Sequence, residues 1–191
     1  MRSFAFAFAA TIALGACERA AVPATVPGTF TQADREIPVM GSVTGFIVGE
    51  AFAWETLDFS VGALDGSAWI GSRDGSVVLT ITGYPAGTGG AAAGRVQIVT
   101  EMPNGLAPGP GANAAITLFE TEGDTGPRLQ STGQPLVNVS NFVRFDDING
   151  SVQGTFVTTL CFVAGPDSAP EAGECRDVAG EFDTRVQFDG V

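Results

Sequence analysis

Glu181-Phe182-Asp183-Thr184-Arg185-Val186-Gln187-Phe188 alternates without a break. Phe182, Thr184, Val186 and Phe188 fall on one side of an extended chain, and Glu181, Asp183, Arg185 and Gln187 on the other. Successive side chains of a strand point to opposite faces, so this run predicts a strand with one buried and one solvated face. Upstream, Val152, Phe156, Leu160 and Phe162 share a face of a second strand, with Cys161 on the reverse. Cys175 has the opposite parity to Phe182 and Phe188, so it also points away from the core. Setting Cys161 opposite Cys175 in an antiparallel pair puts Phe156 opposite Gly180 and Gly154 opposite Phe182. Each glycine is then covered by an aromatic ring from the neighbouring strand. Phe156, Leu160, Phe182, Val186 and Phe188 are expected to be buried, and Glu181, Asp183, Arg185 and Gln187 exposed. Before this pair, Asn149-Gly150 predicts a two-residue type I′ turn. That turn would set Asp147 opposite Val152, Phe145 opposite Gly154 and Val143 opposite Phe156.

The same period of two recurs from Val39 onward. Val77, Leu79 and Ile81 alternate with Val78, Thr80 and Thr82; Val96 and Ile98 with Arg95 and Gln97; Ala114, Ile116 and Leu118 with Ala115, Thr117 and Phe119. Gly- and Pro-rich breaks separate them at Gly83–Gly94, Pro103–Gly111, Glu122–Pro135 and Asp146–Gly150. No stretch holds a capped period of 3.6. The predicted fold is all-β: an antiparallel sandwich or barrel of roughly eight to ten strands, mostly joined by hairpins. The 191-residue length suits one such domain.

Composition excludes many chemistries. The chain has 21 Asp and Glu against 9 basic residues, all of them Arg, with no His, for a net charge of −12. Without Lys there is no Schiff base and no phosphate-binding P-loop lysine. Without His there is no His-based triad and no imidazole for zinc, copper or haem. The acidic balance argues against nucleic acid as a partner, because phosphates need a basic surface.

The N-terminus is an address. Met1-Arg2 precedes the apolar run Ser3–Ala13 and then Leu14-Gly15-Ala16-Cys17. The run is too short to span a bilayer, which takes ~20 residues, and it reads as a signal-peptide core. Leu14-Gly15-Ala16-Cys17 resembles the bacterial lipobox. That resemblance implies a lipoprotein signal peptide over residues 1–16, lipidation of Cys17 on sulfur and acylation of its new amino group. Multiple acyl chains give stable anchoring, whereas one gives reversible attachment. Glu18 after the cysteine, where inner-membrane lipoproteins often carry Asp, leans toward the outer membrane. Cleavage would leave 175 residues and, without Arg2, a charge of −13. Residues 17–38, rich in Ala, Pro and Thr, read as a tether, and 39–191 as the β-domain. With Cys17 lipidated, Cys161 and Cys175 remain, and an oxidising envelope favours their disulfide.

Few residues carry candidate chemistry. Gly87-Thr88-Gly89-Gly90-Ala91-Ala92 loosely fits a dinucleotide fingerprint, but a strand follows it where a helix is required. Glu50, Trp54, Glu55 and Asp58 cluster as acids beside an aromatic, the equipment of glycosidases. Strand parity puts Glu55 on the face opposite Glu50 and Trp54, which works against a catalytic pair. Asp65-Gly66, Asp74-Gly75, Asp124 and Asp146-Asp147-x-Asn149 could offer oxygen ligands to Ca²⁺, but none has EF-hand spacing and the reading is of turns. No metal or cofactor is expected. Asn138-Val139-Ser140 and Asn149-Gly150-Ser151 match glycosylation acceptors, of little weight in a bacterium.

Gly49-Glu50-Ala51-Phe52, Leu79-Thr80-Ile81-Thr82-Gly83, Ile148–Phe156 and Gly180-Glu181-Phe182 together resemble uncharacterised β-rich bacterial envelope lipoproteins. The resemblance supports the fold and carries no activity with it. The leading expectation is a non-catalytic protein, lipid-anchored at the outer membrane, whose β-domain binds or scaffolds an envelope protein or glycan. The alternative is a barrel that carries a small apolar ligand or lipid, and a weaker one is a hydrolase using Glu50 and Glu55.

Overall fold

Two long strands organise the chain. In a computed structural model, which describes residues 37–60, 65–91, 93–121 and 123–191, β10 runs over Asn149–Val163 and β11 over Glu171–Asp189. The others are β1 (Val39–Ile47), β2 (Glu50–Leu57), β3 (Ala68–Arg73), β4 (Ser76–Pro85), β5 (Val96–Glu101), β6 (Gly109–Pro110), β7 (Ala112–Phe119), β8 (Arg128–Ser131) and β9 (Leu136–Arg144). No helix occurs among the described residues. The signal peptide, Cys17 and nearly all of the tether lie outside them.

β11 pairs with β10 along one edge, and with β1 and then β3 along the other. Pairing then runs β1–β2–β4–β5–β7–β8–β10, which closes a ring of eight strands through β11. Closure removes free edges, on which sheets aggregate, from those eight strands, whereas β9 outside the ring is paired on its outer side only by the two residues of β6. β3 fills the second gap between β11 and β4, and β9 extends the sheet from β10 beside β8. Hairpins alone do not account for the sheet: β1 meets β11, β2 meets β4 and β8 meets β10 across long stretches of chain, and β11 meets β3 in parallel, Gln187 opposite Trp69. The total is eleven strands, because β6 and β8 are short and β8 forms inside the stretch Glu122–Pro135 that reads as a break. β8 is held by Leu129, buried between Leu118 and Phe162.

The β10–β11 register is the one that parity implies: Cys161 opposite Cys175, Phe156 opposite Gly180, Gly154 opposite Phe182. A Cβ on Gly180 would lie 2.6 Å from the Phe156 ring, so the glycine is required by the close approach of that ring. Phe156, Leu160, Phe182, Val186 and Phe188 are all buried, and Glu181, Asp183 and Arg185 are exposed. Gln187 is a correction, being only 7% exposed. Ser60 and Gly66 cover it: Gly66 N–H donates to Gln187 Oε1 at 2.7 Å, and Gln187 Nε2 donates to Ser60 Oγ at 3.1 Å. A buried amide satisfied at both ends is tolerated. Phe162 keeps the inward parity, opposite the buried Leu129 of β8 and packed against the core, but is half-buried, while Val163 beside it is also buried.

The Asn149-Gly150 turn is a second correction. β9 and β10 are joined through residues 145–148, with Arg144 opposite Gly150, Val143 opposite Ser151 and Val137 opposite Phe156. The Asp146 carboxylate captures the turn by accepting from Ile148 N–H at 2.8 Å and Asn149 N–H at 2.7 Å. An aspartate that satisfies backbone donors two and three residues on outcompetes the two-residue alternative. Gly150 is therefore a strand residue, where a Cβ would lie 2.9 Å from the Phe188 ring. The type I′ geometry occurs instead at Asp74-Gly75 and Val48-Gly49, each with positive φ at both positions (51° and 82°).

Candidate functional site

The ring has a solid interior. Val43, Trp54, Ile81, Ile98, Phe156 and Phe182 belong to one continuous buried cluster that fills it. Cross-strand glycines and rings interlock in the space: Gly83 lies under Trp54, Gly45 under Phe52, Gly154 under Phe182. Eight-stranded barrels of this size are filled by their own side chains or hold one small ligand; here side chains occupy the volume.

The acids of the Glu50–Asp58 segment do not converge. Trp54 is buried and its indole N–H donates to Gly94 O at 2.7 Å. Glu55 points outward and accepts from Gly87 N–H at 3.1 Å, while Asp58 accepts from Ser60 N–H at 3.0 Å. Glu50 sits exposed at the start of β2. Five residues of strand separate Glu50 from Glu55, ~17 Å, against ~5–9.5 Å for a working carboxylate pair. The candidate oxygen ligands are also dispersed. Asp74 makes a turn, Asp65 lies beside the Asp58–Gly66 bridge, Asp124 pairs with Arg95, and Asp146 caps its hairpin. Among the described residues no three acids or cysteines gather to hold a metal.

Local electrostatics follow from these partners. The hydrogen bonds from Ile148 N–H and the Asn149 side chain hold the Asp146 carboxyl below its ordinary value. Burial pushes the Tyr84 hydroxyl up, partly offset by Arg95. Arg95, on the outward parity of β5, is nonetheless buried. Its guanidinium lies 3.8 Å from the centre of the Phe119 ring and pairs with Asp124. A long side chain lays its stem and planar head on an aromatic in this way.

Cys161 and Cys175 sit at disulfide distance, with Cα atoms 3.9 Å apart, where the β10–β11 hairpin projects beyond the end of β1. Cys175 is exposed, whereas Cys161 is covered, with Thr132 Oγ1 3.6 Å from its sulfur.

The outer surface carries one feature that the sequence analysis missed. Ala51, Phe46, Ala179, Val157 and Leu136 stand directly opposite one another across β2, β1, β11, β10 and β9. All five are exposed; Phe46 is 58% exposed, Val157 53% and Leu136 72%. They form a single apolar row, ~19 Å long at ~4.8 Å per strand. The next row on one side is Ala53, Thr44, Glu181, Thr155 and Asn138, and beyond it lie Glu55, Ser42, Asp183, Gln153 and Asn141. On the other side stand Asp177 and Thr159, hydrogen-bonded at 2.7 Å. At the end of the row, Val48 is 70% exposed and held at φ 51°. There a shallow open pocket of about 360 Å³ is lined by Ile47, Val48, Glu50, Ala51, Phe52 and Arg176. No period within any one strand reveals the row, because each strand contributes one residue to it.

Compared with known proteins, the chain matches no family, no curated protein and no solved structure.

Proposed function

We propose that this chain is a lipid-anchored protein of the bacterial envelope, attached through Cys17 at the outer membrane, whose β-domain is a non-catalytic binding or scaffolding module. The observation that carries the reading is a barrel whose interior is filled by its own side chains while an apolar row stays exposed on its outer face. An interior occupied by Phe156, Phe182 and Trp54 leaves binding to the surface and favours a scaffold over a carrier. The neighbouring outward residues are polar or acidic: Gln153, Thr155, Thr159, Asp177, Glu181 and Asp183. A lipid-facing barrel wall would need an apolar band there, so attachment falls to the acyl chains. Cys161 and Cys175 form a disulfide in that compartment.

Two measurements test this. Labelled palmitate should enter the wild-type chain and be lost with Cys17→Ala, which should also leave the membrane fraction. Native mass spectrometry should give the mass of the lipidated chain with no further molecule bound. A membrane-bound, labelled Cys17→Ala variant would overturn the anchor, and a stoichiometric small molecule would restore the carrier.

A further inference from the structure

We infer that the row Ala51–Phe46–Ala179–Val157–Leu136 is a docking surface for a cationic amphipathic helix of another envelope protein. This deepens the scaffold reading above and rests on it. Three features point to that occupant. First, the row runs across five strands and is one residue wide. A helix laid across the sheet matches this shape, because its apolar residues at i, i+3, i+4 and i+7 form a narrow straight stripe. Thirteen residues at ~1.5 Å each cover the ~19 Å length. Second, Asp177 stands on one side of the row and Glu181, Asp183 and Glu55 in the two rows on the other, against one basic residue, Arg176, in the pocket at the Ala51 end. A helix seated on the row therefore meets acids on both sides, which selects Lys and Arg along the margins of its apolar stripe. The chain's net charge of −12 disfavours a second copy of itself and an anionic lipid surface for the same reason. Third, Phe46, Val157 and Leu136 are large, more than half exposed and aligned in one row, whereas Val39, Val143, Phe145 and Ile148, also large and exposed, stand away from it, so scattered single surface residues do not explain the row.

The test uses the full lipid-anchored chain in living cells of its own host. A photo-reactive benzoylphenylalanine is placed at position 157, with position 136 as a second site on the row. Position 115, the exposed outward residue Ala115 of β7, serves as the reference. Far-ultraviolet circular dichroism confirms that each variant keeps its strands. The expected product is a protein adduct from position 157 or 136, at least about tenfold above position 115, since a buried apolar contact at the row is worth that factor. Its linked peptide should carry Lys or Arg beside apolar residues at helical spacing. Asp177→Lys with Glu181→Lys should lower the yield by about tenfold. An adduct to lipid, to a second copy of this chain or to an acidic or unpatterned segment overturns the inference, as does no adduct from either row position. A protein adduct from position 115 alone overturns it while leaving a surface-binding scaffold standing. A ligand retained inside the barrel with no protein adduct overturns the scaffold reading itself.

Discussion

Phe182→Ala should be among the most damaging single changes in the domain. The side chain is 2% exposed and its ring lies over Gly154. Truncating a buried phenylalanine costs ~3–5 kcal/mol, the transfer energy plus a term for the cavity left behind. The neighbour across the strand has no Cβ to fill that cavity, so a value of ~4 kcal/mol is expected. With a urea slope of ~2 kcal/mol/M, the midpoint falls by ~2 M. Such a loss is a large share of the ~5–15 kcal/mol that holds a domain folded. Gly154→Ala approaches the same contact from the other side. Its new methyl meets both the Phe182 ring and the Asn138 carbonyl, and overpacking of this kind costs ~1–3 kcal/mol. In the double variant the ring is gone and only the carbonyl clash remains. The two losses should therefore add to less than their sum by more than ~0.5 kcal/mol. Asp183→Ala, next in sequence but exposed, should cost under ~0.5 kcal/mol. Equilibrium urea melts of the four variants decide the matter. A Phe182→Ala midpoint shift below ~0.5 M, or strict additivity with Gly154→Ala, would refute the ring-over-glycine interlock as the device that fills the barrel.

Non-reducing peptide mapping should recover Cys161 and Cys175 as one linked pair, and Cys161→Ala with Cys175→Ala should destabilise by ~2–3 kcal/mol for a loop of this length. Free thiols at both positions in envelope material would contradict that. The Asp146 carboxyl should titrate below 3.8 in a carbon-detected NMR titration. Its folded value is depressed, so its contribution to the hairpin is present above the unfolded value and lost as pH falls through the folded one. Asn149→Ala should bring the Asp146 titration back toward its ordinary value, and a titration at or above 3.8 in the wild type would count against the cap. Val48→Asn should raise the melting temperature, because a β-branched residue at φ 51° sits in a strained region that asparagine tolerates, a gain of ~1 kcal/mol. A lower melting temperature would mean that Val48 has packing that outweighs its backbone strain.

Much of the β10–β11 pair was legible in the chain, and the reason is local. A strand's two faces alternate strictly, so Phe182, Val186 and Phe188 declare their side without reference to anything distant. Two cysteines of matching parity then leave one antiparallel register that also covers Gly154 and Gly180. The same logic placed Glu55 away from Glu50. The turn before β10 was misread because Asn149-Gly150 is a strong local signal, and only the folded hairpin shows that Asp146 has already taken its donors. Gln187 has the solvated parity in sequence, yet Ser60 and Gly66 cover it, contacts more than a hundred residues away along the chain. β8 was hidden because a four-residue strand among Gly and Pro has too little pattern of its own and forms on the edges that β7 and β10 offer.

By itself, then, the order of residues determined an all-β chain, the inward faces of its longest strands, their mutual register and the absence of lysine and histidine chemistry. Tertiary structure alone decided that the sheet closes, because closure depends on β11 reaching β1, on β2 meeting β4 and on β8 meeting β10. It alone also decided that Ala51, Phe46, Ala179, Val157 and Leu136 form a surface. Alternation is a property of one strand, whereas a row across a sheet is a property of registers, and registers between strands far apart in sequence are set by how the whole core packs.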